Sequence, residues 1–207
     1  MTAPMQIASG PAGLLPMPLL EALYAFRQRV FGADLGWREE RAGRDRYDAL
    51  GPVYIVASRG GRVVGCLRLM PTAGPCMTHE CFAHLLDEAA AHRGPQIWEL
   101  SRFAAGLDTD AADPQCACAD VAKALFAHAL AYARAKHITR LVGVATVPVL
   151  AFAGQLGLAP RPVFKAVSTS ADDRPVAFTV EVAAAGHVVP KTSLITERQY
   201  DENTVNR

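Results

Sequence analysis

From Pro18 onward, apolar residues at Leu19, Leu23, Phe26 and Val30 recur every three or four positions, predicting one helix with a buried stripe and a proline in its first turn. The pattern fails over 32–51, where Arg38, Glu39, Glu40, Arg41, Arg44, Asp45, Arg46 and Asp48 crowd together. A long loop with room for a short helix fits this stretch, and loops of that length inside compact domains tend to carry function. Alternation then predicts a strand over 53–57, a tight turn at Arg59-Gly60-Gly61 and a hairpin partner over 62–70. Thr78 is placed to cap a helix reaching about residue 92, and 96–103 reads as a third strand. Asp113-Pro114 opens a helix to about 137, with Val121, Leu125 and Leu130 inward. A strand over 139–145, a helix over 148–157 and strands over 163–168 and 176–182 follow, then a polar tail over 186–207. Helices interleaved with strands after an opening hairpin predict an α/β fold, with three layers (α/β/α) around a central mixed, twisted sheet.

The chain has 207 residues, enough for one sizeable core and short for two, so a single domain is expected. Half of it is hydrophobic, 51%, and mean hydropathy is +0.13, yet much of that is alanine. No run of about 18 apolar residues exists, which argues against a membrane span. The first twenty residues are apolar but carry several prolines and no basic leader, so a cytoplasmic protein is expected. Lys+Arg 21 against Asp+Glu 20 leaves no basic excess for nucleic-acid phosphates. The cysteines, Cys66, Cys76, Cys81, Cys116 and Cys118, are odd in number and lack a second pair at zinc spacing. Free thiols and no metal are expected; a nucleophilic cysteine with a histidine partner is the alternative.

Several charged residues sit where apolar ones belong. Arg27 lies on the stripe of the first helix, whereas Arg29 points to solvent. Arg68 shares a strand face with Val64, Cys66 and Met70 by alternation. A buried guanidinium cannot shed its charge and needs an anion, whether for structure or for a ligand. On the third strand, Ile97, Glu99 and Ser101 share one face, and Trp98, Leu100 and Arg102 the other. A glutamate in so apolar a strand is poorly solvated, which suits a general base; a purely structural ion pair with an arginine is the alternative. For Arg102 to join Glu99, the strand must be bulged between them. Three arginines, Glu99 and the loop acids Asp45 and Asp48 outline a seat for a small zwitterion, with the Trp37 ring able to cover a cation.

Read in order, Arg27-x-x-x-Phe31, Leu35-Gly36-Trp37, Asp45-Arg46-Tyr47-Asp48, Val64-Gly65-Cys66-Leu67-Arg68-Leu69 with Pro71-Thr72, Phe82 and Trp98-Glu99-Leu100-Ser101-Arg102-Phe103 resemble the LuxI-type autoinducer synthase family across about residues 20 to 105. Beyond 106 the likeness is looser and rests on element order and Pro148. The resemblance implies a fold related to the GNAT acetyltransferases. It implies two substrates, S-adenosylmethionine and an acyl carrier protein or acyl-CoA thioester, and no further cofactor. By position it implies Glu99, Ser101 and Arg102 as catalytic residues. Arg27, Phe31, Trp37, Asp45, Asp48, Arg68 and Phe103 fall to S-adenosylmethionine. The 18–105 half then carries the chemistry and 106–185 the acyl chain.

The implied chemistry explains the residue types. The amine of S-adenosylmethionine must be neutral to attack a thioester, so Glu99 is the candidate base. Backbone N–H groups at the proposed bulge are candidate oxyanion donors. Ring closure then needs the substrate's carboxylate held near the carbon beside its sulfonium. The acyl wall is assigned to Met77, Phe82, Val142, Gly143, Val144, Val147, Leu150 and Phe152. In the implied register Gly143 offers no hydroxyl, which favours a chain without a 3-oxo group. An acidic carrier would meet Lys123, Arg134, Lys136, Arg140, Arg161 and Lys165.

Two rivals make different demands. A general GNAT-type N-acyltransferase on acetyl-CoA needs a glycine-rich pyrophosphate turn, which Arg102-Phe103-Ala104-Ala105-Gly106-Leu107 matches only in part. A non-catalytic acyl-binding module has no use for a poorly solvated Glu99.

Overall fold

A computed structural model describes residues 3–34, 42–106, 114–163, 174–183 and 185. Trp37, Lys165, most of the strand expected at 163–168 and the tail from 186 lie outside the described residues. The strands are β1 (Met5–Pro11), β2 (Val53–Arg59), β3 (Arg62–Pro71), β4 (Ile97–Ala105), β5 (Arg140–Thr146), β6 (Arg161–Pro162) and β7 (Pro175–Glu181). They form one seven-stranded sheet in the order β1-β2-β3-β4-β5-β7-β6. Among the described residues only the β4–β5 pair is parallel. The helices are α1 (Met17–Arg27), α2 (Met77–Cys81), α3 (Pro114–Ala135) and α4 (Val147–Gln155). The expected mixed three-layer α/β/α architecture is present.

Each face of the sheet has its own core. Leu67, Leu69, Leu100 and Phe178 meet Val121, Leu125, Phe126 and Leu130 of α3 and Leu150 of α4. On the other face Tyr54, Val56 and Cys66 meet Leu20, Leu23 and Phe26 of α1, and a smaller cluster gathers Leu86, Val142 and Ala177. Strand alternation sorts the side chains between these layers.

Three features depart from expectation, and the extent of the β4–β5 pairing is a fourth that no expectation covered. β1 was not foreseen: Ile7 enters the α3 core, but the alternation is short and its neighbours are small or polar. The helix expected from Thr78 to about 92 stops at Cys81, and 3-10 turns at Ala83–Leu85 and Ala89–His92 follow. Its break falls at Phe82, whose backbone (φ −127°, ψ 19°) has left the helical region. Val64 is not on the face of Cys66 and Arg68, because the β2–β3 register shifts between Ala57 and Ser58, leaving Val63 and Cys66 in the α1 core and Val64 against the α3 core. Last, β4 touches β5 only at Ile97–Glu99 against Arg140–Val142, so the strands stop pairing just past Glu99.

The hairpin turn itself is as read. Gly60 and Gly61 both take positive φ, 53° and 78°, as a two-residue turn between right-twisted strands requires.

Candidate active site

The acidic turn is built locally before it meets anything else. Asp45 caps the 3-10 turn Arg46–Leu50: its Oδ1 accepts from Tyr47 N–H at 3.0 Å, and its own N–H donates to Asp48 Oδ2 at 2.7 Å. Both carboxylates thereby acquire fixed directions. Gly43 lets the chain pass over α1; a Cβ there would lie 2.0 Å from the Tyr24 carbonyl oxygen.

Three guanidinium groups converge on this turn. Arg27 Nη1 donates to Asp48 Oδ1 at 2.9 Å. Arg68 Nη1 donates to both Asp45 Oδ1 and Asp48 Oδ1 at 2.7 Å. Arg102 donates to Asp45 Oδ2 through Nε at 2.9 Å and Nη2 at 2.6 Å. Tyr54 adds its hydroxyl to Asp48 Oδ1, and Ser101 Oγ accepts from Arg68 Nε at 3.2 Å. Arg27 and Arg68 are both 0% exposed. Among the described residues, the three guanidinium groups thus share two carboxylates. Arg68 Nη2 is buried and has no hydrogen-bond partner among the described residues. A buried cationic donor left without a partner invites a carboxylate.

The aspartates stay ionised under burial. Burial works against the Asp48 anion, but Arg27, Arg68 and the Tyr54 hydroxyl outweigh it and hold the carboxyl at about 2. Asp45 is likewise held below its ordinary value, burial and the Asp48 charge opposing and Arg68 and Arg102 prevailing.

Arg102 reaches this cluster because β4 is bulged where the sequence requires it. Cys66 pairs with Ala104 and Arg68 with Ser101, so β4 carries one more residue than β3 across that interval. Arg102 absorbs the excess in the left-handed region, φ 52°, a costly conformation for a residue with a Cβ. It lands on the Ser101 face, its guanidinium 5.4 Å above the Phe31 ring.

Glu99 sits two residues before Ser101 on the same face and is also 0% exposed. Its Oε2 accepts the backbone N–H of Thr78 at the start of α2. Its Oε1 is buried without a partner. No ion pair involves Glu99 among the described residues, which disposes of the structural-pair alternative. Beside it lies the buried Cys76 thiol, pushed up to about 11 by burial and then by the Glu99 charge. Such a thiol is not a nucleophile at neutral pH.

Other expected site residues divide. Phe31, Ser101 and all three arginines join the cluster. Phe103 does not: it stacks on Phe126 of α3, ring centroids 4.6 Å apart, on the opposite face. Val142 and Val144 share the Glu99 face and pack with Leu86, Ile97 and Ala177. Gly143 faces away, where a Cβ would lie 2.5 Å from the Leu100 carbonyl and 2.9 Å from the Phe178 ring. Its lack of a hydroxyl therefore carries no information about the acyl chain. Leu150 and Phe152 belong to the α3 core, and Val147 is exposed, so α4 does not supply the expected wall. Met77 and Phe82 are half-buried on and just after α2. Of the basic residues, Arg134 donates to the carbonyls of Val182 and Ala185 and Arg140 pairs with Glu181, while Lys123, Lys136 and Arg161 are exposed. Among the described residues no cluster could hold a metal ion and no helix is long and apolar enough to cross a membrane.

Sequence reading missed Tyr54, which lies directly across from Arg68 in the β2–β3 register. The Gly60-Gly61 turn alone would set Val53 there; the bulge moves the pairing by one. It also missed Cys76 and Leu86, whose positions depend on how the chain turns after β3.

A mixed sheet between helices, parting beside a buried acid, is the layout of the GNAT-like acyltransferase class, whose more distant solved members share the fold alone. Within that class the autoinducer synthase model matches residues 14–182, so the chain belongs to the autoinducer synthase family and its activity is acyl-homoserine-lactone synthesis. The acyl-homoserine-lactone synthase of Ralstonia solanacearum is 35% identical over 153 residues, covering 70% of this chain and 74% of the relative. The crystal structure of the acyl-homoserine-lactone synthase LasI superimposes with a TM-score of 0.76 at 28% identity, covering 95% of this chain and 100% of LasI. BjaI, a CoA-dependent acyl-homoserine lactone synthase solved with S-adenosylmethionine and isopentyl-CoA, gives 0.67 at 26% identity, covering 87% of this chain and 83% of BjaI.

Proposed function

We propose that the chain acylates the amine of S-adenosylmethionine from an acyl thioester, on an acyl carrier protein or CoA, with Glu99 as base and Arg68 seating the carboxylate. The observation that carries this is the pair of unpartnered buried atoms, Glu99 Oε1 and Arg68 Nη2, on one face of adjacent strands. Arg68 pairs with Ser101, so Glu99 lies two residues along, about 7 Å between backbones. Both side chains leave the same face of the sheet, so an α-amino acid seated beside them would meet a cation at its carboxylate and a base at its amine. The ligands solved on BjaI support the same pair of substrates.

The steps balance in charge. Glu99 Oε1 takes a proton from the substrate ammonium, and the neutral amine attacks the thioester carbon. The tetrahedral oxyanion collapses to the amide, the nitrogen giving up its second proton to the departing thiolate, which leaves as a thiol. The substrate carboxylate then attacks the carbon beside the sulfonium, the C–S bond breaks and methylthioadenosine leaves neutral. Release of the carboxylate from Arg68 is needed for closure. Arg68 offers the anion one unpartnered donor, Nη2, a hold light enough to be given up at that step.

The acyl chain runs along Val142, Val144, Leu86 and Ala177, where the β4–β5 pairing ends. Met77 and Phe82 border it on the α2 side. One synthase domain thus divides its labour, with the charged seat and base in 18–105 and the acyl wall shared between 106–185 and the α2 region. The charged substrates place the enzyme in the cytoplasm. A carrier-protein donor would dock on Lys123, Lys136 and Arg161, and charge reversal there would raise its KM several-fold.

The test is mass spectrometry of lactone and methylthioadenosine released by purified protein given S-adenosylmethionine and each donor. Glu99→Gln is expected to cut the rate by about 10²–10⁴-fold. Unchanged release from that variant removes Glu99 as base.

A further inference from the structure

The carboxylate seat and the base belong to different pieces of chain. Arg68 is fixed by the strands and the acidic turn. Glu99 takes a backbone hydrogen bond from α2, a five-residue helix too short to hold a position by itself. A physical link joins the two. The buried Tyr47 packs its ring against the Arg68 guanidinium, 5.6 Å from Cζ to ring centroid. Its hydroxyl leaves the cluster and donates to Glu80 Oε2 on α2 at 3.0 Å, with Cys81 Sγ at 3.6 Å. Arg46 closes the triangle, donating to the Tyr47 hydroxyl at 2.8 Å and to the same Glu80 oxygen. Glu80 lies two residues from Thr78, whose N–H holds Glu99.

We infer that Tyr47 and Glu80 form a strut that sets the spacing between the guanidinium seat and the base, which makes them positioning residues of the reaction. The inference rests on Arg68 and Glu99 having the roles proposed above. Neither residue touches the reacting atoms. A substrate amine one carbon from its carboxylate tolerates little error in that spacing, and misplacement by about 1 Å can cost orders of magnitude in rate. Tyr47 is held as a donor, because burial raises its phenol well above the ordinary range. A strut of this kind acts on the turnover step more than on capture of S-adenosylmethionine, whose carboxylate seat stays intact.

The test is steady-state kinetics of the full chain in S-adenosylmethionine, beside thermal unfolding, for Tyr47→Phe, Glu80→Ala and Glu80→Gln. Tyr47→Phe and Glu80→Ala are expected to lower kcat about tenfold with KM for S-adenosylmethionine changed less than about threefold. Glu80→Gln keeps an acceptor for the phenol and should recover at least about half of the wild-type kcat. Arg46 and Glu80 pair at the surface, where loss of a salt bridge costs little stability, so Glu80→Ala carries the test even if Tyr47→Phe fails to fold. The strut is overturned if kcat of Glu80→Ala stays within about twofold of wild type, if KM rises with kcat unchanged, or if Glu80→Gln is as impaired as Glu80→Ala. Glu99→Gln run in the same series separates the two ideas: full activity there sinks the base assignment, whatever the strut variants do.

Discussion

The two sides of the cleft are built on opposite plans. On one, three guanidinium groups and two carboxylates bind each other and a tyrosine through a mesh of short contacts, and each aspartate accepts from more than one arginine. On the other, Glu99 has a single backbone hydrogen bond, an empty oxygen, and a thiol and apolar side chains around it. A mesh with many mutual partners stores stability and resists motion, whereas a lone buried acceptor contributes little to folding and is free to react. Stability is concentrated on the side that holds the substrate, and reactivity on the side that changes it.

Breaking the mesh should give the largest effect. Arg68→Met removes the one guanidinium that hydrogen-bonds both carboxylates, leaving Asp48 to Arg27 and Tyr54 and Asp45 to Arg102, and unfolding in urea should show a loss of about 3–5 kcal/mol. A loss below about 1 kcal/mol would erase the contrast. Acid should do the same more gently. Asp48 is held at about 2, below its ordinary 3.8, so the unfolded chain binds the extra proton. Its contribution, about 2 kcal/mol, is present above pH 4 and lost as pH falls from there toward 2. Urea midpoints across that range should fall, and in Asp48→Asn the fall should shrink. Gly143→Ala probes the seam behind the acyl wall, where the added carbon meets the Leu100 carbonyl; a loss of about 1–3 kcal/mol is expected. Glu99→Gln keeps an acceptor for Thr78, so its stability should stay within about 1 kcal/mol of wild type while its activity collapses. Smallest of all, Val147→Ser on the exposed start of α4 should alter stability by less than about 0.5 kcal/mol and leave the lactone profile unchanged.

Much of the charged side was legible because charge in an apolar pattern is conspicuous. Arg27, Arg68 and Glu99 each interrupt a stripe, and the bulge before Arg102 follows from needing it beside Glu99. The same bulge should have moved Phe103: once Arg102 takes the Ser101 face, the next residue must turn to α3. The acyl side was harder to read. Valines and leucines look alike in the core and at a pocket wall, and which of Val142, Gly143 and Val144 face the acid depends on the β4–β5 register. Tyr54 stayed hidden because a bulge at Val64 leaves no mark beyond an ordinary valine-glycine pair. The short α2 was read too long because its break at Phe82 carries neither glycine nor proline.

The surplus residue in β4 has a consequence for how this enzyme can change. Excise one position between Ser101 and Phe103, and both cores, the strand order and most of the ladder would survive. The product would keep the fold while missing its third cation, with Asp45 left to Arg68 and Arg27. What distinguishes catalyst from inert scaffold here is the phase of one strand, a property that composition does not record.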